Sequence, residues 1–383
     1  MVAIDSYAGG DGRLSPLSTP SATRAVLEAH GIGTKYTLGQ NFLVNDDVLK
    51  KIIALAEVGE NDRVLEVGPG IGTLTIALLK HAASVIAIER DPDLPAVLAD
   101  TLHPWREKFA LIEKDALDVT RDDIVSVAST MVEAGGDTGC PDRASSAANE
   151  TAQWAVSQSE DCLSESRYRV AVPQEELRPS LPSKLVANLP YAVAATVVLD
   201  YFENFPFLDS ATIMVQKEVA DRMAAAVGTK NYGAYTVKLG LYAEPVGRFA
   251  VGPGNFFPPP RVDSAVIRLN RRVPLMADGA PASPEVIAAA ALMADAAFTN
   301  RRKTIANSCK TYFSGRGPIL LGVADSSAAE GAPTIALPDG AATAERLPAI
   351  FEAAAIDPRR RGETLTQQEF LALGAALLKV TAA

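Results

Sequence analysis

Arg63-Val64-Leu65-Glu66-Val67-Gly68-Pro69-Gly70-Ile71-Gly72 is the stretch that decides the fold. Its first five residues form an apolar run and the next five a glycine-rich turn. Thr73–Leu79, which follows, is apolar at helical spacing. Strand, turn and helix in this order open a nucleotide-binding α/β unit. The glycines let the backbone approach a ligand closely. Their spacing is Gly-x-Gly-x-Gly, not Gly-x-Gly-x-x-Gly, because Thr73 takes the sixth position. Ser84-Val85-Ile86-Ala87-Ile88 reads as a second strand with Glu89 at its end, 21 residues after Gly68. A carboxylate there can accept from both hydroxyls of a ribose. A third run, Phe109-Ala110-Leu111-Ile112, leads to Asp115-Ala116, placed to reach an adenine edge. By itself the glycine turn serves NAD and S-adenosylmethionine equally well.

Further along, Lys184-Leu185-Val186-Ala187 reads as a buried strand that ends in Asn188-Leu189-Pro190-Tyr191. An amide, a proline and an aromatic at a strand end are suited to holding a planar amine flat while its nitrogen is alkylated. The exocyclic amine of a nucleobase is a poor nucleophile because its lone pair is delocalised into the ring. Two acceptors aimed at the amine hydrogens, the Asn188 side-chain oxygen and the Leu189 carbonyl, would draw the nitrogen toward sp³ and localise that pair. Pro190 stiffens the turn and brings no competing N–H. Tyr191 offers a face on which a base can stack. A strand-end Asn-Pro turn is also a common structural device. Beside the glycine turn, however, it favours the methyl donor, since a hydride-transfer enzyme has no use for an amine clamp.

Composition narrows the class. A chain of 383 residues can hold two domains and a full α/β core. It has no apolar run of the roughly 18 residues a membrane span requires, and its N-terminus lacks the basic-then-apolar pattern of a signal peptide. Cys140, Cys162 and Cys309 are far apart, and His30, His81 and His103 are scattered singly, so neither set has metal-ligand spacing. The expectation is a cytoplasmic, reducing-compartment protein with no metal and no membrane partner, present as a monomer.

A net charge of −10 argues against nucleic acid at first sight, but the charge is unevenly spread. Residues 130–176 carry nine acidic and three basic side chains, hence −6, in a Ser-, Ala- and Gly-rich context without periodicity. The stretch 130–178 therefore reads as a loose insertion, a Gly/Ala/Pro-rich stretch at 314–345 as a second one, and 1–22 as a flexible tail. Positive charge gathers instead in Asn300-Arg301-Arg302-Lys303-Thr304-Ile305-Ala306-Asn307-Ser308-Cys309-Lys310, which has four basic residues and no acidic one. It continues a helical pattern begun near Pro284. Its two readings are a solvated helix face and a phosphate-binding surface. Arg359-Arg360-Arg361 forms a second cluster, and Lys35, Lys217, Arg222, Lys230 and Lys238 are candidates to extend the stripe. Finally, Phe256-Phe257-Pro258-Pro259-Pro260-Arg261-Val262-Asp263-Ser264 is a stiff proline loop before the strand Ala265–Leu269. An aromatic held there either plugs a hairpin end or covers a base from the side opposite Tyr191.

Taken in order, Leu38-Gly39-Gln40-Asn41-Phe42-Leu43, Glu66–Gly72, Asn188–Tyr191 and Phe256–Ser264 resemble the ribosomal RNA adenine N6-dimethyltransferases. The closer likeness is to the bacterial branch that dimethylates two adjacent adenines in the 3′-terminal hairpin of 16S rRNA. The resemblance covers about 24–128, 180–272 and parts of 284–375. It implies S-adenosyl-L-methionine as cofactor and 16S rRNA, in the 30S subunit or its precursor, as partner. It further implies that Asn41 and Leu43 contact the methyl donor and that Gly68 and Gly70 pack under its methionine and ribose. Glu89 would hold the ribose hydroxyls, and Asp115, with Ala116, the adenine. Asn188 would stand where cofactor and target amine meet, with Leu189 and Pro190 completing the clamp. Tyr191 and Phe256 would sandwich the target base. The charge run itself makes Arg301, Arg302, Lys303 and Lys310 the candidate RNA-binding residues. Both insertions exceed the family norm.

The implied architecture is α/β: a doubly wound, Rossmann-like class I methyltransferase sheet with one reversed strand near 264–269, and a smaller C-terminal helical domain. The expected division is a tail at 1–22, a methyltransferase domain at 23–275 and a helical RNA-binding domain at 276–383. Three other readings stay open at this point. They are a 23S rRNA methyltransferase of the macrolide-resistance type, a non-catalytic RNA-binding assembly factor, and an NAD-dependent oxidoreductase.

Overall fold

Apolar runs too short for helices and bounded by turn residues become the strands of a seven-stranded sheet. In the computed structural model, which describes residues 12–33, 40–135, 180–322 and 334–382, the early strands are β1 (Phe42–Leu43), β2 (Arg63–Val67), β3 (Ser84–Glu89) and β4 (Phe109–Glu113). They are followed by β5 (Lys184–Asn188), β6 (Ser210–Gln216), β7 (Ala243–Val251), β8 (Phe256–Phe257) and β9 (Ser264–Arg271). The sheet order is β4-β3-β2-β5-β6-β9-β7, and the pairings from β4 through to β6 are parallel. β3 is buried along its whole length and β6 along all but its last residue, as expected where helices cover both faces of a parallel sheet.

The chain lays down β2, β3 and β4 in one direction, then returns to place β5 on the other side of β2. This reversal opens a crevice between the carboxyl ends of β2 and β5, the place where open α/β sheets bind ligands. Gly68 follows β2 and Asn188 ends β5, so two motifs 120 residues apart become neighbours.

The expected flexible tail at 1–22 is corrected for its described part. Leu17 and Ser15 are buried, and Asp46 Oδ1 accepts from Leu14 N at 2.8 Å and Ser15 N at 3.2 Å. A helix, Pro20–Ala29, starts within the expected tail, with the Thr19 hydroxyl accepting from Ala22 N and Pro20 in the first turn, where its missing N–H costs nothing. Residues 1–11 lie outside the described residues, as do Lys35, Leu38, Gly39 and 136–179. Residues 130–135 belong to the helix Arg121–Gly135, so the loose insertion expected at 130–178 does not begin where composition placed it.

Contacts divide the chain into two units, one of Met1–Val198, Phe207–Lys217 and Gly247–Arg268, the other of Leu199–Pro206, Glu218–Val246 and Leu269–Ala383. The second unit thus begins before the boundary expected at 275/276. Tyr232 and Val237 explain why. Both are buried in one core with Ala289, Met293 and Phe370, and Tyr232 donates its hydroxyl to Leu365 O at 2.8 Å. No local pattern around residue 235 announces a partner more than a hundred residues away.

This unit is mainly helical, with Pro284–Phe298, Ile305–Phe313, Gly340–Ala353 and Gln367–Ala382 around that core. The stretch 314–345 is not loose throughout. Pro318–Gly322 pairs antiparallel with Thr334–Asp339, Leu321 and Leu337 enter the core, and Asp339 caps the helix from Gly340 by accepting from Ala342 N. Residues 323–333 lie outside the described residues.

Candidate active site

A cavity of about 520 Å³ opens at the carboxyl ends of β2, β3, β4 and β5, within the range of roughly 300–1,000 Å³ usual for small-molecule sites. Its floor is the glycine turn. Gly70 has φ +60°, and a Cβ built on it would stand 3.1 Å from the Phe42 ring, so a side chain there would be strained in torsion and would crowd that ring. At Gly68, with φ +69°, an added Cβ would lie 3.7 Å from Pro190 Cδ, which shows how closely the glycine and Asn-Pro turns approach.

Gln40, Asn41, Phe42 and Leu43 also line the cavity. Phe42 and Leu43 pair with Phe257 and Phe256 through the β1–β8 ladder, and Val44 N donates to Asn255 O at 2.8 Å. Gln40 Nε2 donates to Asp91 Oδ2 at 2.7 Å, tying this segment to the loop after β3.

Three carboxylates face the cavity. Glu89 ends β3, where its Oε1 accepts from Arg90 N and Asp91 N, both at 2.9 Å. Burial pushes its carboxyl upward, against the pull of those N–H groups and of Gly70 N. Asp115 Oδ2 pairs with Arg90 at 2.7 Å and Oδ1 accepts from Leu117 N at 3.1 Å. Both members of the Asp115–Arg90 pair are partly exposed, so the bond is worth roughly 0–1 kcal/mol and is readily exchanged for a ligand donor.

The third carboxylate, Glu66 in the middle of β2, is a residue the sequence reading passed over. It is 1% exposed and its Oε2 has no hydrogen-bond partner among the described residues. Burial pushes its carboxyl up to about 8, with the Glu89 charge adding to the effect and the Thr75 hydroxyl opposing it. An acid inside the apolar run Val64-Leu65-Glu66-Val67 was the available signal.

Asn188 Nδ2 donates to Asn41 O at 3.1 Å, which orients the amide and leaves Oδ1 as its acceptor. Leu189 is buried, and its N–H is engaged by Met214 O at 3.1 Å. Pro190 O accepts from Val193 N and Ala194 N, turning the chain into the helix Ala194–Asn204. Tyr191 lines the cavity half-buried, and its hydroxyl shares a 2.6 Å hydrogen bond with Ser264 Oγ. Asn41, Leu43, Gly68, Gly70, Glu89, Asp115, Ala116 and Asn188, scattered over about 150 positions, all line this one cavity.

The profile of the ribosomal RNA adenine dimethylase family matches residues 33–332. The chain belongs to this family. It is 33% identical over 364 residues to "Ribosomal RNA small subunit methyltransferase A" of Geobacillus sp. (strain WCH70), covering 95% of this chain and 98% of that protein. The protein of the same name from Enterococcus faecalis is 32% identical, covering 95% of this chain and 97% of its own. Among solved structures, a dimethyladenosine transferase from Plasmodium falciparum superposes with a TM-score of 0.55 at 20% identity, covering 88% of this chain and 98% of that one. The 23S rRNA methyltransferase ErmE gives 0.50 at 20% identity, covering 88% and 99%. At these identities the superpositions bear on the fold, which is that of the Rossmann-like methyltransferases. The chain is therefore an rRNA adenine dimethyltransferase that uses a methyl donor, and the hydride-transfer reading falls away.

Two features of this dimethylase differ from expectation. Phe256 is 4% exposed and belongs to the apolar core with Leu43 and Val251; it does not line the cavity. Pairing with Leu43 in the β1–β8 ladder accounts for this inward position. Its neighbour Phe257 lies under the Arg24 guanidinium, 5.3 Å from the ring centre.

The basic run is not a continuous helix either. The helix Pro284–Phe298 ends, Arg301–Lys303 lie in a turn, and a new helix, Ile305–Phe313, starts where the Thr304 hydroxyl accepts from Asn307 N. Within that turn Arg301 is bound to Glu363 Oε2 at 2.9 Å and to Thr229 O at 3.0 Å. Arg302, Lys303 and Lys310 are exposed. Arg360 pairs with Glu369, while its carbonyl accepts from Ile305 N at 2.7 Å. That bond draws the 359–361 cluster to the start of the helix that follows the 301–303 turn. Lys238 is paired with Asp295 at 3.0 Å.

Proposed function

We propose that this chain methylates the N6 amines of two adjacent adenines in the 3′-terminal hairpin of 16S rRNA, in the cytoplasm, on the small subunit or its precursor. The observation that carries the chemistry is the Asn188 amide. One of its two N–H groups is engaged by the Asn41 carbonyl, which orients the amide so that Oδ1 is the group that accepts from a target amine in the cavity. The small-subunit assignment is supported by the names of the relatives at 31–33% identity.

S-adenosyl-L-methionine suits the donors and acceptors of the cavity. Glu89 and Asp115 are acceptors for ribose hydroxyls and an adenine amine, and Glu66 Oε2, unpartnered among the described residues, is a further buried polar atom in the lining. Gly68 and Gly70 line the cavity without side chains, which lets a ligand approach their backbone closely. When bound, this cofactor supplies a methyl already activated on a sulfonium sulfur.

The residues of the chain then supply alignment and exclusion of water. Asn188 Oδ1 and the Leu189 carbonyl accept the amine hydrogens and localise the nitrogen lone pair toward the methyl carbon. Pro190 has no N–H to compete. Tyr191 stacks on the unstacked base, and roughly 1–3 kcal/mol per stacked base offsets part of the few kcal/mol spent in exposing it. The proton released from nitrogen after transfer goes to water. Arg302, Lys303 and Lys310 contact phosphate.

The test is a methylation assay with labelled donor on unmethylated 30S particles and, in parallel, on 23S rRNA, mapping the modified base. Dimethylated adenines in the 3′-terminal hairpin of 16S rRNA support the proposal. Label in 23S rRNA alone overturns it in favour of the macrolide-resistance type of activity, and no label in either overturns the enzymatic reading.

A further inference from the structure

Ser264 belongs to the sequence Arg261-Val262-Asp263-Ser264, which no step above uses. It is fully buried at the first position of β9, yet it carries a hydroxyl. Its partner is the phenol of Tyr191, 73 residues earlier, at 2.6 Å. The strand entry holding Ser264 is itself fixed, because Lys217 N donates to Asp263 O at 2.9 Å. Tyr191 follows the Asn188-Leu189-Pro190 turn at the cavity and is only half-buried, so packing encloses one part of its ring and leaves another open. A ring held at one end by its Cα and free at the other turns about two side-chain torsions. A bond at the phenol oxygen, the atom farthest from the backbone, removes that freedom.

We infer that Ser264 is a positioning residue for methyl transfer: its hydroxyl fixes the Tyr191 ring in the plane against which the target adenine stacks. The inference rests on the base-stacking role proposed for Tyr191. It gives the strand-entry serine a function, and it ties the Asn188–Tyr191 turn at the cavity to the entry of β9. A second consequence concerns the second methylation. The monomethyl amine offers one fewer hydrogen to the Asn188 and Leu189 acceptors, so the stacked ring contributes a larger share of the alignment. Loosening the ring therefore penalises the second transfer more than the first.

The test uses Ser264→Ala, Tyr191→Phe, the double variant and Tyr191→Ala in the full-length protein, with unmethylated 30S particles as substrate. Tyr191→Phe keeps the stacking face and deletes the bond from the less buried side, so the test does not depend on Ser264→Ala folding. Each single hydroxyl deletion should slow single-turnover transfer roughly 3- to 12-fold and raise the ratio of mono- to dimethyladenine, with cofactor Kd unchanged. The double variant should be no slower than either single one, because both remove the same bond. A cofactor-free readout accompanies these: 2-aminopurine at the target position should be quenched less by Ser264→Ala and Tyr191→Phe than by the unmodified protein.

Additive losses in the double variant, or normal quenching and product ratio in both single ones, would overturn the positioning role while Tyr191→Ala still abolishes turnover. If Tyr191→Ala itself keeps normal turnover, the stacking role fails, and the positioning role with it.

Discussion

Replacing Asn188 by alanine isolates the group on which the chemistry rests. The side chain makes one described bond, Nδ2 to Asn41 O at 3.1 Å, and its Oδ1 is the acceptor offered to the substrate. The substitution therefore has two separable effects. The first is structural. Asn41 belongs to a segment also held by the β1–β8 ladder, the Val44–Asn255 bond and the Gln40–Asp91 bond, so losing one neutral hydrogen bond should cost about 1 kcal/mol, or about 2–4 °C in Tm. The second is catalytic. The lost acceptor works on an amine whose nitrogen gains positive charge as the methyl arrives, and hydrogen bonds to charged groups are worth roughly 1.5–3 kcal/mol. At about 1.36 kcal/mol per tenfold, kcat should fall by roughly 13- to 160-fold. RNA affinity should change far less, since the neutral amine in the ground state is held by stacking and phosphate contacts. Single-turnover rates at saturating cofactor, paired with filter binding of the RNA particle and a thermal melt, separate these effects. Near-normal turnover in a folded Asn188→Ala protein refutes the clamp. An equal loss of binding and rate would instead assign Asn188 to ground-state recognition.

Other expectations follow from neighbouring residues. Glu89→Ala should weaken S-adenosylmethionine binding by roughly 1.5–3 kcal/mol in calorimetry, through loss of a charge-assisted acceptor for the ribose; unchanged affinity would move Glu89 off the ribose. Glu66 is pushed up from 4.5 to about 8, so its contribution is fully present below the unfolded value and is lost as pH rises through about 8. The ligand-free protein should thus lose Tm between about pH 4.5 and 8 more steeply than Glu66→Gln, and parallel curves would show that Glu66 is not protonated in the fold. Neutralising Arg302 and Lys303 together should weaken binding to 30S particles and flatten the slope of log affinity against log salt by roughly 0.7–0.9 per lost phosphate contact. Arg301→Ala, by contrast, should act on stability through Glu363, and an unchanged slope in the Arg302/Lys303 variant would return those residues to the role of a solvated turn.

The sequence by itself determined the α/β class, the methyltransferase chemistry and most of the cavity. Continuous β-branched apolar runs such as Val85–Ile88, too short for helices, suit a sheet buried on both faces, and a positive φ with a crowding ring favours glycine at Gly70. These signals lie within a few residues of the groups they govern, and the order of the elements then brings Gly68 and Asn188 to one crevice.

Only the tertiary structure decided where longer-range pairs form. Phe256 turns into the core because β8 pairs with β1, more than two hundred residues earlier. Arg301 is neutralised by Glu363, 62 residues away, so among the described residues the basic triplet presents two exposed unpaired side chains and not three. Residues 14–18, without periodicity in sequence, are held by the Asp46 carboxylate and by burial of Leu17 in the core. Tyr191 acquires an anchor in Ser264, 73 residues later at the start of β9. In each case the deciding interaction is a hydrogen bond, ion pair or strand pairing between distant positions. Its strength depends on burial and distance, which arise only once the chain has packed.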